Sequence, residues 1–429
     1  MGTYTLTTLG AATDLLDLPF DVPLAEWDDP RMVEVPRGIS RHVVRFVRAK
    51  NHIFAIKEAT DRYVLREHQL LHELADRSVP AVETFGTVIE RRTDEDAELD
   101  GLLITYHLPF SLPYRSLFGG RGLPDLRARL LDSLAELFVR LHLAGFYWGD
   151  CSLSNTLFRR DAGALAAYLV DAETGELHPQ LSPGQRGHDI TIATENIAGE
   201  LFDVQAGLRS GSLPAGARDA DDIDPIELAM ALRPRYEHLW AELTSDQVIK
   251  RDERYRIDQR IKRLNALGFD VSELAITSVD GGRKLRFGTH VVEPGHHQRA
   301  LFKLTGLQVQ ENQARHLLSD LARFRATWSE GTGVDIPEDL AARRWLDEKF
   351  YATLAMVPRE LRQKLPDAEL YHEIQEHRWF LSEAQGHDVG RETAVRTYVD
   401  AVLRHVPDAK VEILTGPPTE EFDVISDFA

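Results

Sequence analysis

YWGDCSLSNTLFRRDAGALAAYLVDAETG, residues 147–175, is the stretch on which the reading of this chain turns. Asp150 is followed five positions later by Asn155 and, further on, by Asp171. Upstream, Leu131 to Leu143 carries apolar residues at 131, 134, 137, 138 and 141, the spacing of a helix with one buried face, and Gly145 supplies its stop. Thr156–Phe158 and Ala166–Val170 read as short strands about an Asp161-Ala-Gly turn. Such a hairpin returns the chain to its starting point, so Asp171 comes back to the loop that carries Asn155.

Working outward, the apolar strand Ile53-Phe-Ala-Ile ends in Lys57, within FAIKEA. The next run, LREHQLLHEL, has helical spacing with Leu65, Leu70, Leu71 and Leu74 on the buried side. It offers two partners for the lysine, Glu67 and Glu73. Glu67 is preferred, because RExxLLxxL followed by SVPAV (Ser78 to Val82) has the look of a helix-and-strand pair known in compact kinases.

From Val33 to about Phe202 these residues resemble the protein-kinase-like superfamily, in particular its atypical lipopolysaccharide-kinase and small-molecule-kinase members. The resemblance implies an α+β, bilobal fold with a β-rich first lobe and a helical second lobe. It implies ATP and Mg²⁺ as cofactors and a hydroxyl acceptor on a protein or small molecule. Lys57 matches the strand lysine that reaches the phosphates and Glu67 its helix partner. Asp150 matches the base that accepts the proton of the incoming hydroxyl. Asn155 and Asp171 match the metal ligands; Mg²⁺ prefers oxygen donors and keeps several waters, so two protein oxygens suffice. Tyr106, His107 and Leu108, after the strand LLIT, match the hinge that holds adenine. Asp189, in GHDITIATENI, matches a buried aspartate that ties the catalytic loop to the next helix, although a plain helix N-cap is the competing reading.

The pattern is departed from in several places. Trp148-Gly149 stands where the family has His-Arg, and Ala172-Glu173 where it has Phe-Gly. Glu173 is either a further metal ligand or solvent-facing. Between Val35 and His42 the only glycine is Gly38, so no glycine-rich loop is present, and no Ala-Pro-Glu element follows. These departures point toward non-protein acceptors. They also keep open an ATP-binding regulatory scaffold that engages a partner protein, and nucleotidyl transfer to protein. The stretches LTGLQVQENQARHLLSDL and ELYHEIQEHRWFLSEAQGHDV resemble an actinobacterial domain of unknown function found attached to such kinase-like proteins.

Composition narrows the classes. A length of 429 residues accommodates two domains, and 43% hydrophobic with 28% charged residues is an ordinary globular balance. A net charge of −19 argues against a general nucleic-acid binder and against anionic membranes. Cys151 is the only cysteine, which excludes an intrachain disulfide, and a cytoplasmic setting is expected. The first twenty residues have no basic, apolar leader pattern, and Leu6 breaks the myristoylation pattern.

The expected organisation is a kinase-like domain over 1–245, with lobes at about 31–110 and 111–245, and a mostly helical domain over 246–429. Residues 1–30 read as an acidic lead-in. Strands are expected at Met32–Val35, His42–Val47, His52–Glu58, Glu83–Glu90 and Gly101–Tyr106. SGSLPAGARDADDIDP reads as a linker, and Pro225 to Leu243 as one helix. Asp246 to Leu267 reads as a basic helix, followed by a hairpin about Asp280-Gly-Gly and by helices at 308–328, 337–356, 366–384 and 388–405. Cys151, the histidines 290, 296 and 297, and the aromatic set Trp345, Phe350 and Tyr351 are read as packing residues rather than chemistry.

Overall fold

The computed structural model describes residues 2–10, 13–35, 42–50, 52–114, 117, 125–210, 224–245, 247–250, 259, 261–262, 264, 269–279 and 284–406. The fold is mixed α and β, with antiparallel sheets in its N-terminal part and a helical C-terminal part.

Seven strands, β1 (Thr3–Thr8), β2 (Met32–Val33), β3 (Val44–Ala49), β4 (His52–Ala59), β5 (Thr84–Arg92), β6 (Glu98–Leu99) and β7 (Gly101–Tyr106), form the first sheet. Its order is β1-β5-β7-β4-β3-β2, with β6 on β5. Side chains alternate across a strand. Phe54, Ile56, Leu102 and Ile104 therefore share one face, whereas Ala59 and Leu103 point to the other, where they meet Val64, Leu71 and Leu74 of α1 (Asp61–Asp76). Leu65, expected on the buried side, is exposed; the buried stripe runs through Val64, Glu67, Leu70, Leu71 and Leu74, and position 65 lies a helical step away from it.

The N-terminal residues are not a lead-in. β1 pairs with β5, and Leu15, Leu18, Phe20, Leu24 and Trp27 cover the outer face of the sheet. Arg91 fastens this segment. Its guanidinium is buried, donates to the carbonyls of Phe20, Val22 and Asp100, and pairs with Glu58 at 2.8 Å.

Below the sheet lie β8 (Leu112–Pro113), α2 (Leu126–Leu143), β9 (Phe146–Tyr147), β10 (Thr156–Asp161), β11 (Ala164–Leu169), β12 (Glu176–Leu177) and α3 (Pro183–Ser210). Gly145 follows α2 at φ 78°, and a Cβ there would lie 2.1 Å from the His178 carbonyl oxygen, so only glycine fits. The helix expected from Pro225 is two, α4 (Pro225–Met230) and α5 (Leu232–Thr244). Pro234 has no N–H for the Met230 carbonyl, and the chain restarts with that proline in a first turn, where no donor is needed.

The C-terminal part opens with β13 (Gln247–Lys250), β14 (Phe269–Val279) and β15 (Lys284–Pro294), in the order β13-β15-β14. The helix expected from Asp246 is thus a strand over its first residues, where Val248 and Ile249 suit a strand beside β15. Gln259, Ile261, Lys262 and Leu264 are helical, and the rest of that segment lies outside the described residues, as do Gly38, most of the linker and the Asp280-Gly-Gly turn. Helices α6 (His296–Thr305), α7 (Glu311–Thr332), α8 (Glu338–Trp345), α9 (Asp367–Gln385) and α10 (Arg391–Ala401) then pack about Leu317, Leu321, Trp345, Phe350, Tyr371, Ile374 and Tyr398. Residues Leu346–Tyr351 are π-helical. The extra residue per turn shifts the side chains out of helical phase, so Tyr351 is exposed while Trp345 and Phe350 are buried.

Candidate phosphate and metal site

Lys57 stands opposite Val44 and Leu103 in the sheet, so strand alternation aims it at the face covered by α1. Its Nζ lies 3.0 Å from each of three carboxylates: Glu67 Oε2, Asp171 Oδ2 and Glu173 Oε2. Glu67 sits on the buried stripe of α1, whereas Glu73 faces outward toward Arg77 and Gln69. His42 Nε2 adds a contact to Glu173 at 2.9 Å. Burial works against the Lys57 charge, but Glu67 and Asp171 outweigh it and push its pKa up. Burial and the neighbouring Asp171 charge push the Glu67 carboxyl up to about 7, against the pull of Lys57. Oxygens of Glu67, Asp171 and Glu173 lie within 4.8 Å of one another, and all three carboxylates contact the Lys57 ammonium.

The loop carrying Asp150 and Asn155 is braced by one side of α3. Asp189 accepts the backbone amides of Trp148 at 2.8 Å and Gly149 at 2.9 Å. Asn196 donates to the Asp150 carboxylate at 3.2 Å and to the Cys151 carbonyl at 3.0 Å. Glu200 accepts the amides of Leu153 and Ser154. Behind Asp189 stands His142, 3.1 Å from it through Nε2 and 2.8 Å from the Tyr236 hydroxyl through Nδ1. Burial holds the His142 pKa down, so a neutral ring donating to Asp189 and accepting from Tyr236 satisfies all three groups. Asp189 lies inside α3 and is no N-cap.

Asn155 and Asp171 flank the open end of the β10–β11 hairpin. The Val170 amide donates to the Asn155 carbonyl at 3.0 Å, and the strands pair from Thr156↔Leu169 onward. Asn155 donates through Nδ2 to the Asp150 carbonyl at 3.0 Å, which uses its amide nitrogen and not its Oδ1. The Trp148 indole donates to the Asp171 carbonyl at 3.0 Å, so the residue standing in place of His-Arg links the loop to Asp171. At the positions expected to form a hinge, the amides of Tyr106 and His107 are committed to the carbonyls of Glu83 and Ile53, both at 2.8 Å. Leu108 N–H has no partner among the described residues. Burial pulls the His107 pKa down to about 4.

Lys57, Glu67 and Asp171 are thus brought into direct contact, with Asn155 beside Asp171 and Asp150 beside Asn155. Asn196 and Glu200 were missed in the sequence. Their signal is the spacing 189, 196, 200, a polar line on one side of a helix that otherwise buries Ile190, Ala193, Ile197 and Leu201. Cys151 is fully buried, which pushes its thiol pKa well up. His297 and Glu311 pair at 2.7 Å between α6 and α7, and the side chain of His290 lies outside the described residues.

Residues 238–403 match the model of a domain of unknown function, DUF4032, so that domain occupies the C-terminal region and its match begins within α5. No curated protein matches the chain. Among solved structures, "WaaP in complex with acyl carrier protein" is similar at 14% identity and a TM-score of 0.34, covering 55% of this chain and 99% of that one. So loose a superposition carries no argument about activity. Among the described residues no helix is long and apolar enough to cross a membrane.

Proposed function

We propose that the chain is an ATP- and Mg²⁺-dependent phosphotransferase of the kinase-like superfamily, acting on a hydroxyl of a protein or small molecule. The observation that carries this reading is the meeting of Lys57 with Glu67 and with Asp171, a residue 114 positions away, beneath the sheet. A sheet bearing the lysine above a helical body bearing Asp150, Asn155 and Asp171 is consistent with a two-lobed kinase-like cleft.

Three carboxylates against one ammonium leave the Lys57 cluster with an excess of negative charge, which disfavours a bare triphosphate. Asn155 Oδ1 and Asp171 would hold a divalent cation, whose role when bound is to neutralise the phosphates. Lys57, fixed by Glu67, would exchange Glu173 for a phosphate oxygen. Asp150, steadied by Asn196, would accept the proton of the acceptor hydroxyl, a contribution of about 10²–10⁴ in rate. Leu108 N–H is the proposed donor to adenine, since its two neighbours already have partners.

The test is Mg²⁺-dependent ATP turnover by the wild type, Asp150→Asn and Lys57→Met, with intact mass recorded after incubation. Turnover that falls at least a hundredfold in Asp150→Asn while nucleotide binding persists supports the proposal. Equal, negligible turnover with retained binding would favour an ATP-binding scaffold. An added AMP instead of phosphate would favour nucleotidyl transfer.

A further inference from the structure

The β10–β11 hairpin joins Asn155 to Asp171, and Asp161 and Ala162 at its tip are buried against the C-terminal helices, while Gly163 is exposed. Hairpin tips ordinarily face solvent. Here Asp161 is 3% exposed. Its Oδ1 accepts the Gln313 amide at 2.7 Å, and its Oδ2 accepts the Asn312 amide at 3.0 Å and the Asn312 side chain at 3.1 Å. Asn312 and Gln313 lie in the first turn of α7, so a residue 151 positions upstream of Asn312 caps this helix.

The next residue is held as firmly. Ala162 has φ 48° and Gly163 φ 81°, the left-handed pair that a two-residue hairpin turn requires. Alanine is strained in that region. Its amide donates to Glu369 on α9 at 2.8 Å, and Gln313 donates to the same Glu369 oxygen at 2.8 Å. Arg160 pairs with Glu373 on α9 at 3.0 Å. The tip thus sits in a polar socket built from α7 and α9, inside the segment that matches DUF4032.

A two-stranded hairpin is marginal by itself, and β8 pairs with β10 over only two residues. From tip to open end is five residue steps, roughly 17 Å. We infer that the C-terminal domain is a clamp acting in cis, which holds the hairpin by its tip and thereby sets the spacing of Asn155 and Asp171 at its other end, with Asp161 as the positioning residue. The metal part of this inference rests on the phosphotransferase reading; the mechanical part does not.

The Val170 amide, which bonds the Asn155 carbonyl, is a direct reporter of the open end. The test compares the full-length wild type, Asp161→Ala, Asp161→Asn and Glu369→Gln by amide hydrogen exchange and by Mg²⁺ titration of binding of a fluorescent ATP analogue. Asp161→Ala should speed exchange at Val170 by about tenfold, leave amides within α2 and α3 unchanged, and raise the Mg²⁺ needed for half-maximal binding by about five- to tenfold. Asp161→Asn, which keeps one oxygen for the helix amides, should recover most of both effects. Val170 exchange within twofold of wild type in folded Asp161→Ala overturns the clamp, as does faster exchange spread evenly over α2 and α3. If Asp161→Ala does not fold, Glu369→Gln decides by the same two readings. Should the wild type bind no nucleotide at any Mg²⁺ level, the phosphotransferase reading fails, while Val170 exchange still supports or overturns the clamp.

Discussion

Glu173 folds back two residues beyond Asp171 and holds Lys57 Nζ at 3.0 Å, a contact equal in length to those from Glu67 and Asp171. On the proposed reading it stands where an incoming phosphate would compete. Glu173→Gln should therefore tighten metal-free nucleotide binding by about three- to tenfold. Titration of a fluorescent ATP analogue in EDTA measures this, and unchanged or weaker binding counts against the competition.

Asp189 is fully buried and serves two loop amides and His142 at once. Asp189→Asn presents an N–H where one of these donors expects an oxygen and removes the charge that assists the others. A loss of about 3 kcal/mol in unfolding free energy is expected. Urea denaturation followed by circular dichroism gives the number; a loss under about 1 kcal/mol would show that the loop finds other partners.

Arg91 lies beneath the N-terminal segment, with its side chain fully removed from solvent. Arg91→Met removes the buried donor from the Phe20, Val22 and Asp100 carbonyls and from Glu58; Val22 keeps the Trp27 indole and Glu58 keeps the Leu24 amide. A cost of about 3 kcal/mol is expected, with earlier proteolytic cleavage around residues 13–33 than elsewhere. Limited proteolysis with mass mapping checks the location, and cleavage beginning elsewhere would contradict the fastening role.

Burial pushes the Asp161 carboxyl from 3.8 up to about 7, against the Asn312 and Gln313 amides that pull it down. Glu369 is raised by burial as well. Glu136 and Arg140 on α2, Arg160 on β10, Glu311 on α7, Glu373 on α9 and Glu83 are charged groups around the tip. A raised acid pKa means the folded chain keeps a proton that the unfolded chain releases. The contribution is full below about pH 4 and is lost as pH rises to about 7, on the order of 4 kcal/mol over the window. Asp161→Asn should flatten this slope. Tm recorded from pH 5 to 8 reads it, and parallel wild-type and variant curves would exclude Asp161 as the source.

Much of the site was legible in local pattern. The helix ending at Gly145 and the hairpin from Thr156 follow from periodicity and turn chemistry over short windows, as do the strand ending in Lys57 and the helix bearing Glu67. The N-terminal strand escaped notice because TYTLTT is short and only Tyr4 and Leu6 alternate with its threonines; most of β1 is exposed, and its place comes from pairing with β5. The break at Ala231 was signalled by Pro234 but outweighed by continuous helical spacing on both sides. The outward turn of Tyr351 had no local signal, because a π-helical stretch depends on how α8 packs against its neighbours.

What the amino-acid order determined by itself is the set of local units: which residues form strands, helices and tight turns, and so which side chains share a face or a loop. The tertiary structure decided which faces meet. The brace of Asp189, Asn196 and Glu200 behind the loop, the return of Glu173 to Lys57 and the capping of α7 by Asp161 all join residues that no short-range propensity relates. Hydrogen bonds and charge pairs act over about 3 Å, so their partners exist only once packing has brought distant segments to that separation.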